Sequence, residues 1–126
     1  MDTDRKVLHE GLTQDIIGAA FDVHNALGCG LLEKVYENAL AHELALRRHA
    51  VTSQKEFTVT YKDKEVGTYY ADLVVDDKVV VEVKSVSVLE DIHRAQTLNY
   101  LRVSGIRVGL LLNFARPKLK FERFVV

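Results

Sequence analysis

Tyr70-Ala-Asp72-Leu-Val-Val-Asp-Asp-Lys-Val-Val-Val-Glu82-Val-Lys84 is the stretch on which the reading of this chain turns. Valine-rich runs on both sides of the Asp76-Asp77 turn signal read as two strands of a β-hairpin, and such strands are normally buried. Buried strands seldom carry three charged side chains, because an unpaired buried charge is costly. A divalent cation held by Asp72 and Glu82, with Lys84 beside it, would remove that cost. Such a constellation is the core of a metal-dependent phosphodiesterase site.

The turn length decides whether these side chains meet. Glu82 and Lys84 are two apart and share one face of a strand, and the same alternation puts Tyr70, Asp72 and Val74 together on the preceding one. A two-residue turn at Asp76-Asp77 would pair Val75 with Lys78 and set Asp72 opposite Val81. A three-residue turn, Asp76-Asp77-Lys78, pairs Val75 with Val79 and sets Asp72 across from Glu82. Directly opposed residues have Cβ atoms about 4.5–5.5 Å apart, within reach of one bridging ion. The three-residue register is the one predicted. Like charges facing each other destabilise a sheet unless something neutralises them, so this register itself implies a cation.

The remaining composition is that of an ordinary globular chain. A length of 126 residues suits one domain spanning 1–126, with 48% hydrophobic and 28% charged residues. No run approaches the apolar length of a membrane span, and Met1-Asp-Thr-Asp-Arg-Lys6 has no apolar signal core. A single cysteine, Cys29, excludes an internal disulfide and agrees with a reducing cytoplasm. The net charge of −1 hides an asymmetry: residues 1–93 hold 10 Lys/Arg against 17 Asp/Glu, whereas residues 94–126 hold 7 against 1. That basic quarter supplies Arg94, Arg116 and Lys118 as candidate phosphate contacts, with a solvated basic face as the plain alternative.

Apolar residues Leu12, Ile16, Ala19, Ala20, Val23 and Leu27 recur at helical spacing until Gly28-Cys29-Gly30 interrupts them. Leu32, Val35, Tyr36, Ala39, Leu40 and Leu44 form the stripe of a second helix. Alternation over residues 55–62 marks a strand, Lys62 to Glu65 a turn, residues 89–103 a third helix, and residues 106–113 and 121–126 two further strands. The predicted order is α-α-β-β-β-α-β-β, an α/β (α+β) fold with helices on a mixed sheet.

Three further residues are candidates for the site. Glu33 opens the second helix, where a glutamate complements the helix dipole; beside Asp72 and Glu82 it becomes a candidate third carboxylate. Such oxygen-rich coordination suits Mg²⁺ or Mn²⁺. Gln96 and Tyr100, at i and i+4, share one face of the third helix, next to a more obvious stripe of Ala95, Leu98 and Leu101. The five histidines lack zinc-site spacing, and His24 is best read as packing at a helix end.

Taken together, Asp72 and Glu82-x-Lys84 resemble the signature of the PD-(D/E)xK nuclease superfamily. Gln96-x-x-x-Tyr100 looks like the additional motif of its RecB-like branch, and Gly30-Leu-Leu-Glu33-Lys-Val-Tyr36 matches the motif of the GxxExxY family within it. The resemblance runs from about Thr13 to Phe124. It implies a restriction-endonuclease-like core, metal ligation by Glu33, Asp72, Glu82 and the carbonyl of Val83, and a water-positioning role for Lys84. Gln96 and Tyr100 would steady the site. Gly28-Cys29-Gly30 departs from the Gly-Pro-Gly usual in that family, and the first motif lacks its proline; neither change removes a catalytic group.

The expectation is therefore a Mg²⁺-dependent (or Mn²⁺-dependent) deoxyribonuclease of the cytoplasm that acts on DNA ends or DNA structure, since no appended module reads sequence. The resemblance also suggests a homodimer. The competing expectation is a DNA- or protein-binding module on the same fold, non-catalytic or active only in a larger complex.

Overall fold

A computed structural model describes residues 8–126; the N-terminal hexapeptide read above for export lies outside the described residues. The elements follow the expected order: α1 (Glu10–Leu27), α2 (Glu33–Leu46), β1 (Val51–Tyr61), β2 (Lys64–Val75), β3 (Val79–Lys84), α3 (Asp91–Ser104), β4 (Val108–Asn113) and β5 (Lys120–Val125). The strands form one sheet in the order β1-β2-β3-β4-β5. Only β3 and β4 pair in parallel, and α3 makes the crossover that a parallel pair requires. The result is a mixed α+β, restriction-endonuclease-like arrangement. Among the described residues no helix is long and apolar enough to cross a membrane.

Helices cover both faces of the sheet, which is why β3 and β4 read as largely apolar runs, broken in β3 by Glu82 and Lys84. Leu73, Val75, Val81, Leu110 and Leu112 pack against Ile16 and Ala20 of α1 and Tyr36, Leu40 and Leu44 of α2. On the other face Val74 and Val80 meet Tyr100 and Leu101 of α3. Gly109 permits the close crossing of α3 over β4: a Cβ there would come within 3.3 Å of Leu101 and Thr97.

The central hairpin has the three-residue register. Val75 pairs with Val79, Val74 with Val80 and Leu73 with Val81. Asp76 and Asp77 both take left-handed backbone conformations, with φ of 53° and 55°, which aspartate tolerates better than most residues. The outer hairpin differs from expectation. Its turn is only Lys62-Asp63, both at positive φ as a two-residue I′ turn demands, and β1 begins at Val51 because Val51–Ser53 pair with Leu73–Val75.

Two helical faces differ at their edges from those expected, although Tyr36, Leu40, Leu44 and Leu101 are buried as the stripes implied. In α2 the predicted core residues Leu32 and Val35 are exposed, and Glu37 is buried with Tyr36, Leu40 and Leu44. In α3, Ala95 is exposed and the buried residues are Thr97, Tyr100 and Leu101. That helix starts at Asp91 because the His93 ring accepts the Glu90 N–H at 2.9 Å, capping it two residues later than the apolar pattern suggests.

An ionic clamp ties α1 and α2 to the β2–β3 turn. Arg47 holds Asp15 and Asp22 of α1 (both 2.6 Å) and Glu43 of α2 (2.9 Å). His49 then bridges Asp15 through Nε2 (2.5 Å) and Asp76 through Nδ1 (2.7 Å). Carboxylates only accept hydrogen bonds, so both ring nitrogens must carry protons and the ring is a cation. The Asp15 and Asp76 hydrogen bonds hold the His49 pKa above its ordinary 6.5. Asp15 is held below 3.8 chiefly by His49; at Asp76 burial opposes the fall, but His49 and the Ala50 N–H outweigh it.

The signs set a pH window. A histidine with a raised folded-state pKa contributes its full stability below 6.5 and loses it as pH rises through the folded value. The two aspartates, with lowered values, lose theirs as pH falls below 3.8. We expect His49→Ala to cost about 2 kcal/mol at a pH between those limits and much less at alkaline pH. Urea denaturation of both proteins across that range measures the difference.

Candidate active site

The β2–β3 ladder stops one pair short of Asp72 and Glu82, and side chains take over from backbone there. Leu73–Val81 is the last paired position. Beyond it the Asp72 N–H donates to Glu82 Oε2 at 2.9 Å, and the Val83 N–H donates to Asp72 Oδ2 at 2.8 Å. Each carboxylate thus satisfies the amide that a strand partner would otherwise have paired. Two opposed carboxylates are held where the strands part.

Burial and mutual repulsion make this pair electrostatically costly. Glu82 is 2% exposed, and burial, followed by the charge of Asp72, pushes its carboxyl up to about 8. Asp72 is also raised, first by burial; the Val83 N–H pulls it back. The two titrate as a coupled unit, and the more buried Glu82 is raised strongly.

A third carboxylate of this cluster escaped the sequence reading. Glu37 is 5% exposed, accepts from Lys34 Nζ at 2.8 Å, and its charge raises both Asp72 and Glu82. Gln54 Nε2 bridges the acids, donating to Glu37 at 3.0 and 3.2 Å and to Asp72 Oδ1 at 3.3 Å. The signal for Glu37 was its spacing of three and seven from Leu40 and Leu44, which puts it on the inward stripe. Gln54 gave no signal, because its position depends on a left-handed backbone (φ 51°).

At that point the β1–β2 ribbon turns over. Leu73 and Val75 face α1 and α2, whereas Tyr69, Ala71 and Phe57 lie on the side of α3. Strict alternation would have kept 69, 71, 73 and 75 together. Tyr70 is therefore not on the inward face with Val74; it is half exposed.

Lys84 lies on the same face as Glu82 and donates to Gln96 Oε1 at 3.1 Å. Its positive charge lowers both Asp72 and Glu82. Tyr100 is 8% exposed, and burial, then the charges of Glu82 and Asp72, push its hydroxyl up to about 12. It stays protonated at any ordinary pH and can donate but not act as a base. Of the predicted residues, Asp72, Glu82 and Val83 are joined by hydrogen bonds, Lys84 and Gln96 form a separate pair, and Tyr100 feels the charge of the acids.

Glu33 reaches the same end of β3 by another route. Its Oε2 accepts the Ser85 N–H at 3.1 Å, while Ser85 Oγ donates to the Leu31 carbonyl at 3.2 Å. The Tyr36 hydroxyl accepts from the Leu31 N–H (3.1 Å) and donates to the Gly28 carbonyl (2.6 Å), and its ring stacks on Phe114 at 4.7 Å. The stretch Gly30–Tyr36 thus docks the start of α2 onto the residue after Lys84. Asn113 braces that loop from β4 through Val86 N–H and C=O.

The basic candidates fare differently. Arg94 is committed to Glu122 (2.8–3.0 Å) and Asp91 (3.0 Å), so it is a structural residue rather than an available phosphate ligand. Arg116 is exposed on the rim of a cleft with Lys120, and Lys118 is exposed. His24 is buried and bonds the Arg116 carbonyl at 2.8 Å, a packing role as expected.

A profile of the PD-(D/E)XK nuclease superfamily matches residues 10–124. The chain belongs to this superfamily. PD-(D/E)XK proteins generally hydrolyse phosphodiester bonds, and its nucleases depend on divalent metal. The crystal structure of SSO0001 is similar in fold, with a TM-score of 0.57 and 17% identity over 96% of this chain. The chain spans 61% of that protein. No curated protein shows a significant match.

As arranged, no group of three or more His, Cys, Asp or Glu side chains among the described residues could hold an ion. The donor chemistry of the PD-(D/E)XK pair nevertheless fits one. Asp72 and Glu82 are opposed, oxygen-only donors whose repulsion a divalent cation would offset.

In metal-free protein, the raised carboxyl of Glu82 means that stability falls as pH climbs from its ordinary 4.5 towards about 8. A carbon-13 titration of Glu82 should show a midpoint near 8. Asp72→Asn, which keeps an acceptor for Val83, should move that midpoint down by removing the like charge.

Proposed function

We propose that the chain is a divalent-metal-dependent phosphodiesterase acting on DNA, a single nuclease-like domain close to the GxxExxY family of the RecB-like branch. The observation that carries this is the crossed pair of Asp72 and Glu82 at the point where β2 and β3 part, with Lys84 on the same face. A structural carboxylate pair at this depth would be costly unless its negative charge had a use.

Asp72, Glu82 and the Val83 carbonyl are the residues that would hold Mg²⁺ or Mn²⁺, with Glu33 the further carboxylate. A cation bound there would supply Lewis-acid stabilisation of the phosphoryl group and ease deprotonation of water. Lys84 places an ammonium beside the carboxylates, where it orients water and offsets charge that develops on the scissile phosphate. Gln96 fixes the direction of that ammonium. Tyr100, kept protonated, donates a hydrogen bond from the α3 side. Glu37 and Gln54 hold Asp72 in place from the α2 side.

The commitment of Arg94 to Glu122 favours a second reading, in which a partner supplies DNA-binding charge and the isolated chain is weakly active. Cleavage of labelled linear, single-stranded and branched DNA with Mg²⁺ or Mn²⁺ tests both. We expect Lys84→Ala and Glu82→Gln to reduce metal-dependent cleavage at least a hundredfold while the protein stays folded. Absence of cleavage by the wild type on every substrate, in either metal, would defeat the self-sufficient nuclease.

A further inference from the structure

A cleft between β2 and α3 opens beside the Lys84–Gln96 hydrogen bond, and Tyr69, Ile92, Ala95 and Asn99 of its lining have no part in the candidate active site. It is lined by Tyr69, Ile92, Ala95, Gln96, Asn99 and Tyr100. None of these six is a Lys, Arg, Asp or Glu, so the cleft offers a phosphate no ion pair. It offers flat apolar walls instead. Tyr69 is 42% exposed and meets Tyr100 edge-on at 5.4 Å, and Ile92 is 68% exposed on the opposite wall.

Two amides edge this apolar surface. Gln96 Oε1 is taken by Lys84 at 3.1 Å, and Asn99 Oδ1 by Arg102 at 3.0 Å. Both oxygens are occupied, so each amide presents its NH₂ group as a donor to whatever enters. An aromatic wall with amide donors along its edge matches a nucleobase, which has π-faces and ring or carbonyl acceptors. Gln96 belongs at once to this cleft and to the lysine of the candidate active site, so a group in the cleft lies next to that site.

We propose, on the phosphodiesterase reading above, that this cleft is a subsite for an unpaired nucleobase adjoining the scissile phosphate. The substrate class is then a single-stranded or frayed polynucleotide. A paired base hides its faces in the helical stack and cannot use Tyr69. A duplex is held mainly through its phosphates, whereas a single strand gains from stacking.

The test is equilibrium binding in EDTA, which separates recognition from cleavage. Fluorescence anisotropy compares a labelled single-stranded oligodeoxynucleotide, the ribonucleotide strand of the same sequence and the matching duplex. A 2-aminopurine in the single strand reports stacking directly. The expected result is at least tenfold tighter binding of a single strand than of the duplex, with 2-aminopurine quenched on binding. Tyr69→Ala should weaken single-strand binding about tenfold and abolish the quenching, leaving duplex binding unchanged. Ile92→Ala, at an even more exposed position, is the second variant should Tyr69→Ala unfold. The deoxy and ribo arms tell which sugar accompanies the base.

Equal binding of duplex and single strand, or single-strand affinity unchanged in both variants, would overturn the subsite. Those outcomes are independent of cleavage. Tyrosine-dependent single-strand binding without metal-dependent cleavage would keep the subsite and defeat the nuclease. Lys84-dependent cleavage indifferent to Tyr69 and Ile92 would do the reverse.

Discussion

The pair of hydrogen bonds that joins Asp72 to Glu82 and Val83 is the constraint on which the rest of this site depends. A β-ladder normally pairs amide with carbonyl, and ending it in the interior strands polar groups that cannot reach water. Here the carboxylates of the facing residues accept the Asp72 and Val83 amides, so the ladder can stop without leaving an orphan donor. Where the strands part, two acids are held in the middle of a sheet. Moving the register by one residue would send one of them to the opposite face.

Holding those acids together costs energy, and the surrounding residues answer that cost in different ways. Gln54 places a neutral donor between Glu37 and Asp72, and Lys84 faces the pair with a full positive charge. Lys34 neutralises Glu37 from the solvent side. The three acids come from α2, β2 and β3, so their proximity depends on the packing of α2 against the sheet. Two devices secure that packing at opposite ends of α2: the Tyr36–Glu33–Ser85 contacts at its start and the Arg47–His49 ionic clamp at its end. The clamp also grips Asp76, inside the turn that sets the register.

Much of this was legible in the residues. Valine runs around Asp76-Asp77 and the need to oppose Asp72 and Glu82 led to the three-residue turn, and Val75 does pair with Val79. Helical stripes and the Gly28–Gly30 break located α1 and α2, and Tyr36, Leu40 and Leu44 of the expected α2 stripe are buried. Leu32 and Val35 look like core residues by hydropathy, yet they lie outside because Tyr36 must turn inward to reach Gly28 and Phe114. Arg94 looked like a free cation because its partner, Glu122, is distant in sequence on β5.

Sequence by itself determined the order of elements, the hairpin register and the identity of the acidic pair with its lysine, because these rest on local periodicity and short-range pairing. Tertiary structure alone decided that Glu37 joins that pair, that Gln54 bridges them, and that Tyr69 rather than Tyr70 faces Tyr100. The last two follow from a left-handed residue in β1, Gln54, at which the ribbon turns over. Backbone torsion at one residue leaves no trace in composition or spacing, and only the packed chain reveals it.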